Sequence, residues 1–543
     1  MIFVSSFCHA ADSLQLLSFE ELERTSEKDF GERESSLLQN KLEKLFSSVD
    51  IQTKQTIPTP NTFPELGKTL NVVTWNIEKS LNVDVIVNAL KLSNEEFKIK
   101  IQQIHGEDKK QSKIFDQVKK LKTADVIVLQ EMDYGVNRSK YLYAAKEIAD
   151  ALGLNFAYAP TQIEVDPNLM NFNMTTKDFE HHKSLYKGLF GKAVLSRYPI
   201  IGAESFPLKT QVYDWYHDEL KYYKADIIEK ARRVGAKLIF NVDIIRELKR
   251  GGRNYFRVDL KVPFVPEGKV SIINIHLEIK AKPDDRARQM KEILGYIKSI
   301  NHPVILAGDF NSTNRSAEYT SIYRLIKGVL VDTSNYLSIA TSALLPGSGF
   351  IINLARNGID FIRNLLNPIV HHIPIISENP SHSLFKQLRD FQFDDGYVFD
   401  LRGSKWRSSA KASMLSNANE KRPIGFHSTF MTPKTLLVFG RERLDWMFVK
   451  GYSQSNKYIT PKSSEPYRMA PHFGEVLDNF NESMPERYSD HHPMFVTLPF
   501  EEPVELNLRE AKEYKEEMLI RQKDRFNQGS DHFKTRHQHG FIK

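Results

Sequence analysis

Residues 304–311 read VILAGDFN, in which a short aliphatic run ends at Gly308 and leads directly to Asp309 and Asn311. Short runs of β-branched and aliphatic residues that are bounded by Gly, Asn or Pro are typical of buried strands. The segment therefore predicts a buried strand with a carboxylate and an amide at its end. Polar side chains at strand ends can converge on one rim of a sheet and form a cleft there.

Four other apolar runs predict strands with a polar residue at one end. They cover residues 72–75, 126–130, 270–275 and 446–449, and the adjacent polar residues are Asn76, Glu131, His276 and Asp445. Near the end of the chain, residues 489–493 read SDHHP and precede a further apolar run. An acidic residue directly before a histidine, as Asp490 is before His491, is one way to fix an imidazole as a base.

The chemistry of these side chains favours metal-assisted phosphoester hydrolysis. The set contains no cysteine, no serine nucleophile with a plausible base and no glycine loop to hold a phosphate. Carboxylate and amide oxygens suit Mg²⁺ or Mn²⁺. In-line attack of water on phosphorus needs a base for the water, a metal on the phosphoryl oxygens, and an acid or metal for the leaving oxygen.

Seven blocks of the chain, in their order, resemble the endonuclease/exonuclease/phosphatase superfamily, whose members share the deoxyribonuclease-I-like fold. The blocks read TWNI, LQE, LSRYP, NIHL, GDFN, LDWMF and SDHHP, and they begin at Thr74, Leu129, Leu195, Asn274, Gly308, Leu444 and Ser489. Each block alone has an ordinary structural reading, for example a turn at Asn76 or a core histidine at His276. All of these readings would have to hold together in the family order, which favours the functional interpretation.

The resemblance implies a metal site and a second histidine. Glu131 is then the main metal ligand, with Asn76 beside it and Asp490 as a further ligand. His276 matches the second histidine of the deoxyribonuclease and sphingomyelinase-like branches of the family. The sequence does not identify the acidic partner that this histidine is expected to have.

The resemblance also implies how the water and the phosphate are handled. Asp309 is expected to orient or help deprotonate the water, and Asn311 to hold a phosphate oxygen. Asp490 is expected to orient His491, which acts as the base or as a phosphate-binding imidazole. Asp445 is expected to support the metal or the histidine pair.

The fold implied by the resemblance is an α/β (α+β) four-layer sandwich, with two packed, mainly antiparallel sheets flanked by helices. Candidate flanking helices cover residues 140–152, ended by Gly153, and residues 285–300. The predicted units are a leader remnant, helix and linker over 1–66, a catalytic domain over 67–500 with insertions near 213–253 and 312–443, and a charged helix and tail over 501–543.

The first eleven residues are similar to the end of a secretory leader with a small-residue cleavage site, although they lack a basic n-region. This favours a secreted or periplasmic location, whereas without a leader the protein is expected in the cytoplasm. Cys8 is the only cysteine, so the chain has no internal disulfide.

The charge balance and one apolar segment bear on the substrate. The chain has 75 Lys and Arg against 68 Asp and Glu, a net charge of +7 that suits a polyanion. Residues 333–376 are rich in apolar residues and predict an accessory core, or alternatively a hairpin that contacts a membrane surface. We expect a phosphoester substrate and favour nucleic acid over phospholipid. The alternatives are a sphingomyelinase-like or inositol-lipid phosphoesterase and, least favoured, an inactive binding module.

Overall fold

The computed structural model describes residues 14–25, 32–64, 66–106, 110–165, 183–223, 237–238, 247–312, 381–400, 428–436, 439–453 and 467–502. The sequence predictions for residues 1–11, for the apolar segment 333–376 and for the helix and tail beyond residue 502 lie outside these ranges. Within them, the structure contains no helix with the length and apolar character needed to cross a membrane.

The described elements follow in chain order. The strands are β1 Asp50–Gln52, β2 Asn61–Phe63, β3 Gly67–Asn76, β4 Val126–Tyr134, β5 Asn155–Glu164, β6 Leu189–Ser196, β7 Ile200–Pro207, β8 Lys249–Gly251, β9 Asn254–Lys261, β10 Lys269–His276, β11 Val304–Asp309, β12 Phe430–Leu436, β13 Phe439–Glu442, β14 Asp445–Lys450, β15 Tyr452–Ser453, β16 Tyr467–Arg468, β17 His472–Val476 and β18 Met494–Pro499. The α-helices are α1 Phe19–Arg24, α2 Glu32–Phe46, α3 Val83–Lys91, α4 Asn94–His105, α5 Gln111–Lys122, α6 Ala144–Leu152, α7 His217–Tyr223, α8 Pro283–Ile297, α9 His382–Asp390 and α10 Asp478–Asn481. Short 3-10 helices cover Glu78–Ser80, Asn137–Ser139 and Pro266–Gly268.

Two large sheets form the centre of the molecule. The first has the strand order β1-β5-β6-β4-β3-β18-β17, with β2 beside β3 and β8 beside β5, and the second has the order β14-β11-β10-β9-β7. Within these sheets, β3–β4 and β10–β11 are parallel and the other pairs are antiparallel. The prediction of two mainly antiparallel sheets is confirmed.

Alternating side chains explain the four layers. In β11, Ile305 and Ala307 belong to the core between the two sheets, whereas Val304 and Leu306 pack with helix α8 on the outer face. The outer face of the first sheet is covered in the same way by helices α2 to α6. Because successive strand residues point to opposite faces, a strand that is buried on both sides reads as a continuous apolar run.

A small polar cluster lies between the two sheets, beneath the strand ends. The side-chain amide of Gln130 in β4 donates to Oδ1 of Asn274 in β10 over 2.9 Å, and Nδ2 of Asn274 donates to the carbonyl of Ala193 over 2.9 Å. Nζ of Lys192 in β6 donates to the carbonyl of Asn274 over 2.7 Å. Burial holds the pKa of Lys192 well below its usual range. We call Gln130, Lys192 and Asn274 the polar bridge.

The predicted flanking helices are present with different bounds. Helix α6 begins at Ala144 and not at Lys140, because Lys140 adopts a left-handed φ of 56°. It ends as predicted at Gly153, whose φ of 67° suits a residue without a side chain. Helix α8 covers Pro283–Ile297 instead of 285–300.

The linker predicted before residue 67 is wrong in one respect, because part of it belongs to the first sheet. Strand β1 pairs with β5 and strand β2 pairs with β3. Ile51 packs against the core between the sheets, and Tyr143 donates to the carboxylate of Asp50 over 2.7 Å. Each of these strands has only three residues, too few to show a sequence period, and the partner of β1 is distant in sequence.

Both predicted insertions contribute described elements. The first, near 213–253, supplies helix α7 and strand β8, which pairs with β5. The second, near 312–443, supplies helix α9, which packs against α8, and the β12–β13 pair. The backbone N–H of Met431 in β12 donates to the carbonyl of Asp490 over 2.9 Å, so this insertion adjoins the SDHHP block.

Candidate active site

The strand register brings three of the predicted residues side by side. In the parallel pair β10–β11, His276 lies opposite Asp309, and in the antiparallel pair β11–β14, Asp309 lies opposite Asp445. Neighbouring strands are about 4.8 Å apart, so residues that share a register position are adjacent. The first sheet ends at the same rim, where Asn76 lies opposite Gln130.

Gly308 allows β10 and β11 to come together directly before Asp309. Its φ is 140°, and a Cβ atom placed there would lie 1.9 Å from the carbonyl oxygen of Ile275. Only glycine tolerates both this conformation and this close approach. The glycine in the GDFN block is therefore required by the backbone, and Asp309 follows it at the rim.

Glu131 reaches the site through an irregularity in β4. The pairing of β4 with β6 shifts register between Gln130 and Met132, and Glu131 has a left-handed φ of 60°. Its carboxylate accepts the backbone N–H of Lys79 over 3.0 Å, and its carbonyl accepts the hydroxyl of Ser80 over 3.1 Å. Such a conformation costs on the order of 1–3 kcal/mol, and a bulge of this kind re-aims a side chain beside an active site.

Asn76 links the contributions of the two sheets. Its Nδ2 lies 3.2 Å from Oε1 of Glu131 and 3.1 Å from Oδ2 of Asp309. Its carbonyl accepts the hydroxyl of Ser489 over 2.7 Å, and that hydroxyl accepts the backbone N–H of His491 over 3.0 Å. One asparagine and one serine thus connect the ends of β3, β4 and β11 with the SDHHP block.

The acidic partner of His491 is Asp445, and the prediction that Asp490 orients this histidine is wrong. Nδ1 of His491 lies 2.7 Å from Oδ2 of Asp445. Consecutive residues of an extended chain point to opposite sides, so Asp490 and His491 cannot share a direction. The backbone N–H of Asp445 donates to the hydroxyl of Thr429 over 3.1 Å, which fixes the start of β14.

The pairing with Asp445 sets the charge of His491. Burial by itself would lower the pKa of His491, but Asp445, with Asp309 and Asp490, raises it well above its usual value. Nε2 of His491 lies 3.9 Å from Oδ2 of Asp309. The imidazole is therefore held as a cation that presents a donor to the centre of the site.

The protonation of Asp309 responds strongly to its surroundings. Burial raises the pKa of Asp309 to about 7, with further contributions from Asp445 and Glu131 and an opposing one from His491. A carboxyl group with a pKa near neutrality can both accept and release a proton at working pH. This suits the role of handling a water.

Asn311 lies at the same rim, and its side-chain amide already donates one hydrogen bond within the protein. Its backbone N–H donates to Oδ1 of Asp309 over 2.8 Å, and its Nδ2 donates to the carbonyl of Leu277 over 2.9 Å. The residue has a left-handed φ of 45°. An amide nitrogen carries two donors, so one N–H remains for a ligand.

His276 lies near two carboxylates but is hydrogen-bonded to neither. Its Nε2 is 3.7 Å from Oε1 of Glu131 and 3.7 Å from Oδ2 of Asp309, which is beyond hydrogen-bond length. Burial, together with the nearby cations Arg253 and Lys192, holds the pKa of His276 well below its usual range. The two histidines therefore differ, because His276 is neutral and His491 is charged.

Glu78 is a functional candidate that the sequence interpretation missed. Its carboxylate accepts the backbone N–H of Asp490 over 2.8 Å, and its φ is 47°. Burial raises the pKa of Glu78 to about 7, and the neighbouring Asp490 contributes. The residue lies in a loop and not at a strand end, and its sequence signal is an acid two positions after Asn76.

The acidic residues of the site crowd one another. Burial raises the pKa of Asp490, and the nearby carboxylate of Glu131 contributes to this rise. Asp490 in turn contributes to the raised pKa of Glu78. Crowded carboxylates that raise one another's pKa are stabilised as anions by a cation between them. Among the described residues, no group of three or more His, Cys, Asp or Glu is arranged to hold a metal. Mg²⁺ commonly takes one or two carboxylates and completes its shell with waters and substrate phosphate.

A family model described as the Endonuclease/Exonuclease/phosphatase family matches residues 73–491. The chain belongs to this family. The family predicted from the seven blocks is therefore confirmed, and members of the endonuclease/exonuclease/phosphatase family are hydrolytic phosphoesterases. A comparison with curated protein sequences gives no significant match.

Several solved structures are similar to this chain at low sequence identity. An endonuclease/exonuclease/phosphatase from Beutenbergia cavernae is 14% identical with a TM-score of 0.37, covering 80% of this chain and 72% of that one. An AP endonuclease from Archaeoglobus fulgidus is 11% identical with a TM-score of 0.35, covering 79% and 99%. The human Nocturnin catalytic domain is 11% identical with a TM-score of 0.32, covering 83% and 97%. These values carry no inference about the substrate of this chain.

Proposed function

We propose that this protein is a divalent-metal-dependent phosphodiesterase that cleaves nucleic acid by in-line attack of an activated water. The observation that carries the proposal is the meeting of Glu131 from one sheet and Asp309 from the other around a single amide, that of Asn76. A hydrolase of this type needs an anionic metal site and a base within hydrogen-bond reach of each other.

The charges of the site suggest a division of labour. Asp309, whose pKa is raised by burial to about 7, accepts the proton of the attacking water. His491 is held cationic by Asp445 and donates a hydrogen bond to a phosphoryl oxygen. Neutral His276 and the free N–H of Asn311 orient other oxygens of the same phosphate.

Glu131, Glu78 and Asp490 would hold the cation, with Asn76 beside them. A bound Mg²⁺ or Mn²⁺ supplies charge stabilisation on the phosphoryl oxygens. The protein's own contribution is to hold these acids in place before the substrate arrives. The left-handed residues of the loop and the bulge at Glu131 serve that purpose.

The preference for nucleic acid is supported by charge. The net charge of the chain is +7. A net positive charge favours polyanionic substrates such as nucleic acid. The lipid phosphoesterase stays the second candidate because of the apolar residues 333–376.

A metal-dependent activity screen tests the proposal. The purified protein is incubated with plasmid DNA, RNA, sphingomyelin vesicles, phosphoinositides and bis(4-nitrophenyl) phosphate, with Mg²⁺ or with excess chelator. We expect cleavage of DNA or RNA in Mg²⁺ and loss of cleavage in chelator, restored by added Mg²⁺ or Mn²⁺. Cleavage of sphingomyelin or phosphoinositides alone would favour the lipid phosphoesterase. Full activity in excess chelator would contradict the proposed metal dependence.

A further inference from the structure

Six charged side chains form a buried ion network beside the metal-binding acids. The cations are Lys79, Arg138 and Lys249, and the anions are Asp133, Glu164 and Glu247. We call these six residues the ion network. It joins the loop after β3 to strands β4, β5 and β8, and two of its members come from the first insertion.

Short contacts hold the ion network together. Arg138 donates to both oxygens of Asp133, over 2.8 and 2.7 Å, and is paired with Glu164. Glu247 accepts Lys249 over 2.6 Å and Lys79 over 2.7 Å. Three cations and three anions balance, and a buried charge of either sign is stable only when it is paired in this way.

Lys79 is the one member of the ion network that solvent reaches well. Its side chain is 34% exposed, whereas that of Arg138 is 15% exposed and that of Lys249 is 2% exposed. Asp133 and Glu164 are fully buried. Of the three cations, Lys79 is therefore the one whose side chain is most accessible to a ligand.

The backbone of Lys79 lies directly on the metal-binding acids. Its N–H donates to Oε2 of Glu131 over 3.0 Å, and its φ is 52°. It is the middle one of three consecutive left-handed residues, with φ values of 47°, 52° and 56° for Glu78, Lys79 and Ser80. Three such residues in a row are costly, and strain of this kind is concentrated at functional sites.

We propose that Lys79 is a substrate-binding residue whose ammonium group contacts a non-bridging oxygen of the substrate phosphate. The inference rests on the proposed phosphodiester substrate. It adds a residue that the site predicted from the seven sequence blocks does not include. Lys79 has three N–H donors, and Glu247 takes one, which leaves two for a phosphate. Glu247, which is also paired with Lys249 and Arg138, fixes the position of the ammonium group.

Charge-reducing variants at two matched lysines test the proposal. Lys79→Met removes the ammonium group and keeps the length of the side chain, and Lys79→Arg keeps the charge. Lys140→Met is the control, because Lys140 also has a left-handed φ, 56°, but its side chain is 66% exposed and paired with Asp84. The measurements are KM and kcat on bis(4-nitrophenyl) phosphate in Mg²⁺, and the rise of Tm on adding inorganic phosphate.

We expect Lys79→Met to raise KM by at least about tenfold, the scale of a lost hydrogen bond to a charged group, with a much smaller change in kcat. It should also lose the rise of Tm with phosphate, whereas Lys79→Arg and Lys140→Met should behave like the wild type. A Lys79→Met protein with wild-type KM would overturn the proposal.

The two proposals fail in different ways. If the wild type cleaves no diester, the proposed function fails, and the response of Tm to inorganic phosphate alone then decides the role of Lys79. A response that is absent in the wild type, or equal in the wild type and Lys79→Met, overturns the inference. A response that is present in the wild type and lost only in Lys79→Met supports it.

Discussion

The two sheets contribute to the same site by different physical means. The second sheet presents His276, Asp309 and Asp445 opposite one another on three neighbouring strands. The first sheet presents Glu131 from a bulge with a left-handed φ, beside a loop in which three further residues are left-handed. The second sheet thus places its groups by pairing alone, whereas the first holds them by contacts that compensate for backbone strain.

This difference determines whether a substitution removes only a side chain or also alters the backbone around it. Where the register sets the position, a side chain can be removed without moving its neighbours, and only the chemistry is lost. Where contacts hold a strained loop, as between Glu131 and the backbone of Lys79, a lost contact also alters the backbone. Four variants test this contrast.

The largest expected effect is the loss of acid–base chemistry at Asp309, in the regular half, and at His491, in the block before β18. Asp309→Ala and His491→Ala should each lower kcat by at least about a hundredfold, the scale for a positioned acid–base group. Tm should change little in Asp309→Ala because the register is kept, whereas His491→Ala leaves the buried Asp445 without its partner and should lower Tm. The controls are the exposed Asp150→Ala and His217→Ala, which should leave kcat unchanged. Activity within a few-fold of wild type in Asp309→Ala would place the base elsewhere.

A smaller effect is expected when the register itself is disturbed. Gly308→Ala places a Cβ atom 1.9 Å from the carbonyl of Ile275 at a φ of 140°, so it should destabilise the fold by about 2–4 kcal/mol. The control is Gly202→Ala in β7, where a Cβ meets no atom within 4 Å. Chemical denaturation measures both variants. Equal stability of the two would mean that β10 and β11 can separate without cost.

The smallest effect is expected at Ser489, which joins Asn76 to the SDHHP block. Ser489→Ala removes a hydroxyl that donates to the carbonyl of Asn76 and accepts the N–H of His491. Leaving buried groups unpaired should cost about 1–2 kcal/mol in the free energy of unfolding. The control is Thr497→Val, since the buried hydroxyl of Thr497 has no partner among the described residues. If Thr497→Val proved the more destabilising variant, the hydrogen bonds of the Ser489 hydroxyl would not explain the stability change in Ser489→Ala.

The sequence predicted the regular half of the site better than the strained half. The apolar runs before His276 and Asp309 are long enough to show as strands, and the residues that follow them lie where the pattern placed them. The partner of His491 was assigned to the wrong aspartate, because adjacency in sequence is not adjacency of side chains.

The missed residues share a physical cause. Glu78 and Lys79 lie in a left-handed loop, and Glu247 belongs to an insertion that meets this loop only in the folded chain. Neither a strand period nor a turn signal marks such residues, because their positions depend on tertiary contacts. The same holds for strand β1, which pairs with β5, a partner distant in sequence.

The polar bridge has a consequence for how this catalytic domain accepts long insertions. Two apolar surfaces attract each other without a preferred lateral position, because the hydrophobic effect has no direction. The hydrogen bonds of Gln130, Lys192 and Asn274 are directional, and each weakens steeply when its donor is displaced. The alignment of the sheets is thus fixed within the core, immediately below the candidate active site. Segments added at the periphery can lengthen or change without altering the spacing between Glu131 and Asp309.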